Sequence, residues 1–135
     1  VSNKGLRRAI MGALAALAVP GGAATAADAR SGTLTIENPL QACVQVQAGT
    51  RAVDRGVVLQ DITLDIRKPI GECGCKSAVL GYASHVVMEG GGRSLLQQGR
   101  FGARQSGPRA IALASDPQLI GGRPVVLSLD CMAPD

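Results

Sequence analysis

Apolar and polar residues alternate along most of the chain beyond residue 30, with the period of strands rather than helices. The clearest case is Val57 to Arg67: Ile62, Leu64 and Ile66 point one way, and Asp61, Thr63, Asp65 and Arg67 the other. That pattern predicts a strand with one wet face. Thr33-Leu34-Thr35-Ile36 alternates and stops at Asn38-Pro39, a first strand and turn. Ala42 to Gln47 alternates too, with Val44 and Val46 on one face and Cys43 with the glutamines on the other; Ala48-Gly49-Thr50 is expected to close it. Ser77 to Glu89 differs, being apolar on both sides. Leu80, Tyr82, Val86 and Met88 share one face, and Val79, Ala83 and Val87 share the other with His85. Such a strand belongs in the middle of a sheet. Gly90-Gly91-Gly92 predicts a turn, with Arg93 to Phe101 returning as the hairpin partner. After a loop at Gln105-Ser106-Gly107-Pro108, Arg109 to Ser115 and Pro124 to Met132 read as two further short strands.

About seven short strands, with turn signals every 8 to 12 residues or so, predict an all-β fold: a small antiparallel β-sandwich of immunoglobulin-like type. An antiparallel β-barrel is the alternative. No apolar stripe at helical spacing, internal repeat or linker interrupts residues 27–135, which read as a single domain.

Residues 1–26 read differently, as a cleaved export signal. Lys4, Arg7 and Arg8 precede an uncharged apolar run from Ala9 to Val19; Pro20-Gly21-Gly22 breaks it, and Ala24-Thr25-Ala26 has the small-x-small form of a cleavage site. The run is about a dozen residues, short of the roughly 20 that span a bilayer. Val1 stands where a signal peptide's initiating methionine is expected. With the leader set aside, 11 basic residues remain of the 14, against 10 acidic ones. The basic balance is then mostly a property of the leader, and a nucleic-acid role loses its support. One asymmetry survives: Arg93, Arg100, Arg104 and Arg109 have no acid among them between Glu89 and Asp116. They form a candidate partner-facing patch, although a solvated hairpin face accounts for them better.

The chemistry centres on Cys73-Gly74-Cys75, with Cys43 and Cys131 on strand-like segments to either side. An exported chain with four cysteines predicts two disulfides in an oxidising compartment. Staples are needed here, because Tyr82 and Phe101 are the only aromatic residues and the core must be built from smaller side chains. Residues i and i+2 of an extended segment point to one side, so both inner thiols can reach partners on a neighbouring layer. The expected pairing is Cys43–Cys73 with Cys75–Cys131. Cys43–Cys75 with Cys73–Cys131 is the alternative, and a strained Cys73–Cys75 bond the third arrangement. Closing loops of about 30 and about 56 residues is worth on the order of 3.5 and 4 kcal/mol in the chain-entropy description.

A thiol site is the rival reading. Cys73 and Cys75, with His85 and Met88, offer ligand types suited to copper, a soft metal. A matched second pair at zinc spacing is missing, and a redox pair would ordinarily sit at a helix N-terminus, which the pattern does not predict. His85 is the only histidine and fits a partly buried structural role better than acid–base catalysis. Asp61 and Asp65 share a strand face, which solvation explains without glycoside chemistry. Gly90-Gly91-Gly92 lacks the lysine and helix of a phosphate-binding loop. No enzyme activity and no cofactor is expected.

The string Cys73-Gly74-Cys75-Lys76-Ser77-Ala78, with the leader and a last strand ending in Cys131, resembles a family of short exported bacterial proteins classed as a domain of unknown function. That resemblance implies bacterial origin and export, and brings no catalytic residues. The whole predicts a periplasmic or secreted protein that acts by binding, with a protein partner of the inhibitor, immunity or envelope-subunit kind. Nucleic acid and stable membrane insertion are not expected.

Overall fold

A computed structural model describes residues 32–133; the leader expected over residues 1–26 lies outside them. Seven strands occur among the described residues: β1 (Leu34–Glu37), β2 (Val44–Asp54), β3 (Val57–Ile66), β4 (Val79–Val87), β5 (Arg93–Gly102), β6 (Gly107–Ala114) and β7 (Val125–Cys131). They form two open sheets, ordered β1-β7-β4-β5 and β2-β3-β6. The fold is therefore the β-sandwich predicted by the alternation, and not a closed barrel. It has the four-plus-three strand count of an immunoglobulin domain with its own strand order. All pairs are antiparallel except β1 with β7, which run parallel because the chain leaves β1 for the other sheet instead of turning back beside it.

The core lies between the sheets. Val44, Val58, Ile62, Leu64, Ile111 and Leu113 from one side meet Leu80, Val125 and Leu127 from the other, in one buried cluster. Each such side chain contributes roughly 1.5–3 kcal/mol by leaving water. β4 is central, flanked by β5 and β7, which is why its sequence is apolar on both faces. Tyr82 and Phe101 stack at a tilt with centroids 6.3 Å apart, at the margin of this aliphatic core.

Two expectations for β2 need correcting. Ala48-Gly49-Thr50 does not end the strand, which continues to Asp54 and turns at Arg55-Gly56. Both turn residues have positive φ, 48° and 86°, the conformation that matches strand twist in a two-residue hairpin. Gly49 and Thr50 instead form a bulge opposite Asp61, since Ala48 pairs with Ile62 and Arg51 with Gln60. The buried side chain of Gln60 serves this bulge, donating to the Gly49 and Asp61 carbonyls at 2.9 and 3.0 Å. Cys43 does not share the wet face with Gln45 and Gln47. It lies in the turn before β2, fully buried, its N–H donating to Leu40 O at 2.9 Å.

A second irregularity joins the sheets. The register of β3 with β6 passes from Val58↔Ala114 to Leu59↔Ala112, so Leu113 is the extra residue and its carbonyl has no place in the ladder. Ser84, fully buried on β4, donates its hydroxyl to that carbonyl across the core. This explains a polar residue at an inward position of the central strand.

Candidate functional site

The passage from β3 to β4 carries the two inner cysteines and forms one wall of a cleft. Pro69-Ile70 enters a 3-10 turn over Ile70–Cys73, and Gly74 leaves it at φ 94°, a left-handed conformation that a glycine adopts without strain. The turn closes on itself, with Gly74 N–H donating to Gly71 O at 3.1 Å and Cys75 N–H to Ile70 O at 3.2 Å. This reversal sends the two cysteines to different partners. Cys43 bonds to Cys73 and Cys75 to Cys131, the first of the pairings weighed from the sequence. The Cys43 carbonyl in turn accepts from the backbone N–H of Arg67 at 2.7 Å and of Lys68 at 3.2 Å. One disulfide thus fixes the wall bearing Arg67 and Lys68; the other fixes the start of the wall bearing Lys76.

Between them lies a cleft of about 620 Å³, lined by Ile66 to Gly71, Cys75 to Ala78, and Ala103 with Arg104. Ile70, Cys75 and Ala103 are buried at its base. The Ala103 N–H donates to Ala78 O at 2.9 Å, and Ser77 Oγ donates to Met132 O at 3.2 Å, so the second wall is tied to both β5 and β7. Four lining residues are cations (Arg67, Lys68, Lys76 and Arg104) and none is an acid. Arg67 pairs with Asp65 at 2.9 Å, both side chains more than half exposed. Lys68, Lys76 and Arg104 are exposed and form no ion pair with any of the described residues. Their charge is available to whatever enters.

The outer face of the four-stranded sheet holds a different cluster. Arg93 on β5 donates to both Glu37 oxygens, at 2.7 and 3.0 Å, and Ser128 Oγ donates to the same carboxylate at 3.1 Å. β1 and β5 are the two edges of this sheet, so the pair reaches over β7 and β4 between them. Beneath are Val126, buried although it faces outward, and His85, which is in register with it. The Arg93 hydrogen bonds, with help from Ser128, hold the Glu37 carboxyl below its ordinary pKa, and the same contact raises that of Arg93. His85 Nδ1 is buried and has no hydrogen-bond partner among the described residues.

The residues singled out in the sequence are dispersed by the fold. Of the four arginines, Arg93 clamps Glu37, and Arg104 enters the disulfide-flanked cleft. Arg100 lines a separate cleft of about 550 Å³ along Gly81 and Ala83. Arg109 donates to the carbonyls of Pro108, Gly102 and Gln105 at 2.9, 3.4 and 3.0 Å, holding the loop between β5 and β6. Of the soft-metal set, Cys73 and Cys75 are both in disulfides. His85 is five residues along β4 from Leu80, the partner of Cys131, or about 17 Å at strand spacing. Met88 Sδ accepts from Arg123 at 3.1 Å. Among the described residues, no three of His, Cys, Asp and Glu are grouped to hold a metal ion. No helix among them is long and apolar enough to cross a membrane.

Sequence reading missed Arg67, Lys68 and Lys76 as members of a site. The signal was present: these cations bracket the inner cysteine pair, and the disulfides fold the bracket into two facing walls. No curated protein and no solved structure is significantly similar to the chain. A family model does match it, over residues 16–134, and the chain belongs to that family: the bacterial proteins described as "Uncharacterized protein conserved in bacteria (DUF2195)".

Proposed function

We propose that this is an exported binding protein, periplasmic or secreted, that engages a protein partner through the cleft between its disulfide-held walls. The observation that carries this reading is the cleft itself: about 620 Å³, with four cations in its lining, three of them without an ion pair among the described residues. Long basic side chains that no internal acid neutralises cost stability through mutual repulsion, and an acidic partner surface offsets that cost. Both disulfides fit an oxidising compartment. They also set the walls before a partner arrives, which reduces the ordering cost of binding. A thiol or copper role would need Cys73 and Cys75 reduced, and each is bonded to a different distant cysteine.

A photo-crosslinking residue at Gly71 tests the reading. Gly71 is exposed on the cleft wall, and a side chain added there meets nothing within 4 Å. The same probe at Asp54, at the end of β2 remote from the cleft, is the control. In a bacterial envelope extract a discrete protein adduct is expected from Gly71 and not from Asp54. No adduct at Gly71, or the same adducts from both positions, would overturn it.

A further inference from the structure

We infer that the segment this cleft recognises is an acidic peptide stretch, with carboxylates spread along it and an apolar side chain between them. This rests on the protein-binding reading above and specifies its ligand. Compact anions such as phosphate are held by converging backbone N–H groups in nests or at helix ends. Four N–H groups around the cysteine turn are consumed internally: those of Arg67 and Lys68 go to Cys43 O, that of Gly74 to Gly71 O, and that of Cys75 to Ile70 O. The charge that the cleft offers an anion is carried by the tips of long side chains.

Those tips come from separate parts of the chain. Arg67 and Lys68 extend from the end of β3, Lys76 from the approach to β4, and Arg104 from the loop after β5. Three separate chain segments thus present charge around one opening. Carboxylates at intervals along a peptide can meet several such tips together. The lining between the cations is apolar, with Ile66, Pro69, Ile70, Ala78 and Ala103. Pure polyanions have nothing to place there; a peptide with a Leu or Val between acidic residues does. Lysine ammonium groups suit this role, since they are point charges without the bidentate geometry that fixes one planar partner.

The test uses the full disulfide-bonded protein and a fluorescein-labelled peptide of alternating Glu and Leu, read by anisotropy. A Lys/Leu peptide of equal length, inorganic phosphate and a sulfated oligosaccharide are the comparison probes. The Glu/Leu peptide is expected to bind and the Lys/Leu peptide not. Lys68→Ala, Lys76→Ala and Arg104→Ala should each weaken binding about 2–5-fold, and the triple variant on the order of 30-fold, as exposed ion pairs do. Raising salt from about 20 to 300 mM should weaken it strongly for wild type and little for the triple variant. Arg55→Asn, which removes a cation from the exposed turn between β2 and β3 outside the cleft lining, should bind as wild type does. Each variant is checked for two disulfides by intact mass and for its fold by far-UV circular dichroism.

Competition by phosphate or the sulfated oligosaccharide as effective as by the peptide would overturn the inference in favour of a general anion site. Peptide binding that ignores Lys76 and Arg104 would overturn the assignment to this cleft. A Gly71 adduct with a protein partner, but no binding of the acidic peptide, would sink the inference while leaving the protein-binding reading intact.

Discussion

At the cysteine end of the sandwich two disulfides hold the passage from β3 to β4 and the end of β7, Arg109 holds the β5–β6 loop, and Lys68, Lys76 and Arg104 have no ion-pair partner among the described residues. At the opposite end arginines do the holding. Arg123 donates to the carbonyls of Ile120 and Leu119 at 3.0 and 2.8 Å and to Met88 Sδ at 3.1 Å. Arg51 donates to Gln60 Oε1 at 3.1 Å and to Gly32 O at 2.9 Å, tying the edge of one sheet to the approach to the other. Arg93 clamps Glu37 across the outer sheet face. A guanidinium can satisfy several carbonyls at once and so serves as a loop clamp. Where a covalent bond already clamps the loop, the cations nearby are not needed for the fold. That division of labour is the reason for assigning binding to one end of the molecule rather than to its arginine count.

The largest effect should come from breaking the covalent end. Cys43→Ser and Cys131→Ser are each expected to lower stability by roughly 2–5 kcal/mol, measured as a shift in urea unfolding. Cys43 stands to lose more, because the serine hydroxyl would also be buried in the core cluster. Unfolding midpoints that are the same for wild type with and without reductant would contradict the comparison at its root.

Next in size is a contact belonging to neither end. Ser84→Ala leaves the bulged Leu113 carbonyl without its donor in a fully buried place. The expected loss is about 1–3 kcal/mol with no change in disulfide content. An Ala variant as stable as wild type would mean that the bulge finds another donor. Arg123→Ala should cost less, about 1 kcal/mol, since its bond to Leu119 O is exposed and water can replace it there. Lys76→Ala, at the covalent end, should change stability by no more than about 0.5 kcal/mol. Parallel thermal melts of these two variants sharpen the comparison directly: equal losses would erase the distinction between clamping and unpaired cations.

How much of this was legible in the sequence follows the range of each signal. Period-two alternation is local, so β3, β4 and β5 could be placed with nearly their observed limits. The bulge at Gly49-Thr50 was read as a turn because both use glycine; what separates them is Gln60 on the opposite strand, a partner eleven residues from Gly49. The parallel pairing of β1 with β7 joins chain ends some 90 residues apart, and alternation carries no information about it. The cleft was illegible for the same reason. Arg67, Lys76 and Arg104 lie on three segments that only the folded chain, with Cys43–Cys73 and Cys75–Cys131 beside them, brings to one cleft. The arginine run in the sequence suggested a patch, yet a strand sends successive residues to opposite faces, and a hairpin carries them to opposite ends.

The smallest expected effect tests the Glu37–Arg93 clamp by pH. Its Arg93 hydrogen bonds lower the Glu37 pKa below the ordinary value of 4.5. A carboxylate with a depressed folded-state pKa contributes stability that is fully present above the unfolded value. That contribution is lost as pH falls through the lowered folded value. Wild type should therefore melt slightly higher than Glu37→Gln at pH 7, and the gap should close as the pH is taken well below 4.5. The size is limited because both side chains are nearly half exposed, and water and salt screen the pair. Added salt at pH 7 should narrow the gap in the same direction. A gap that persists unchanged in acid would show that Glu37→Gln acts by disturbing Ser128 and the packing over Val126, and that the clamp across the sheet is steric rather than ionic.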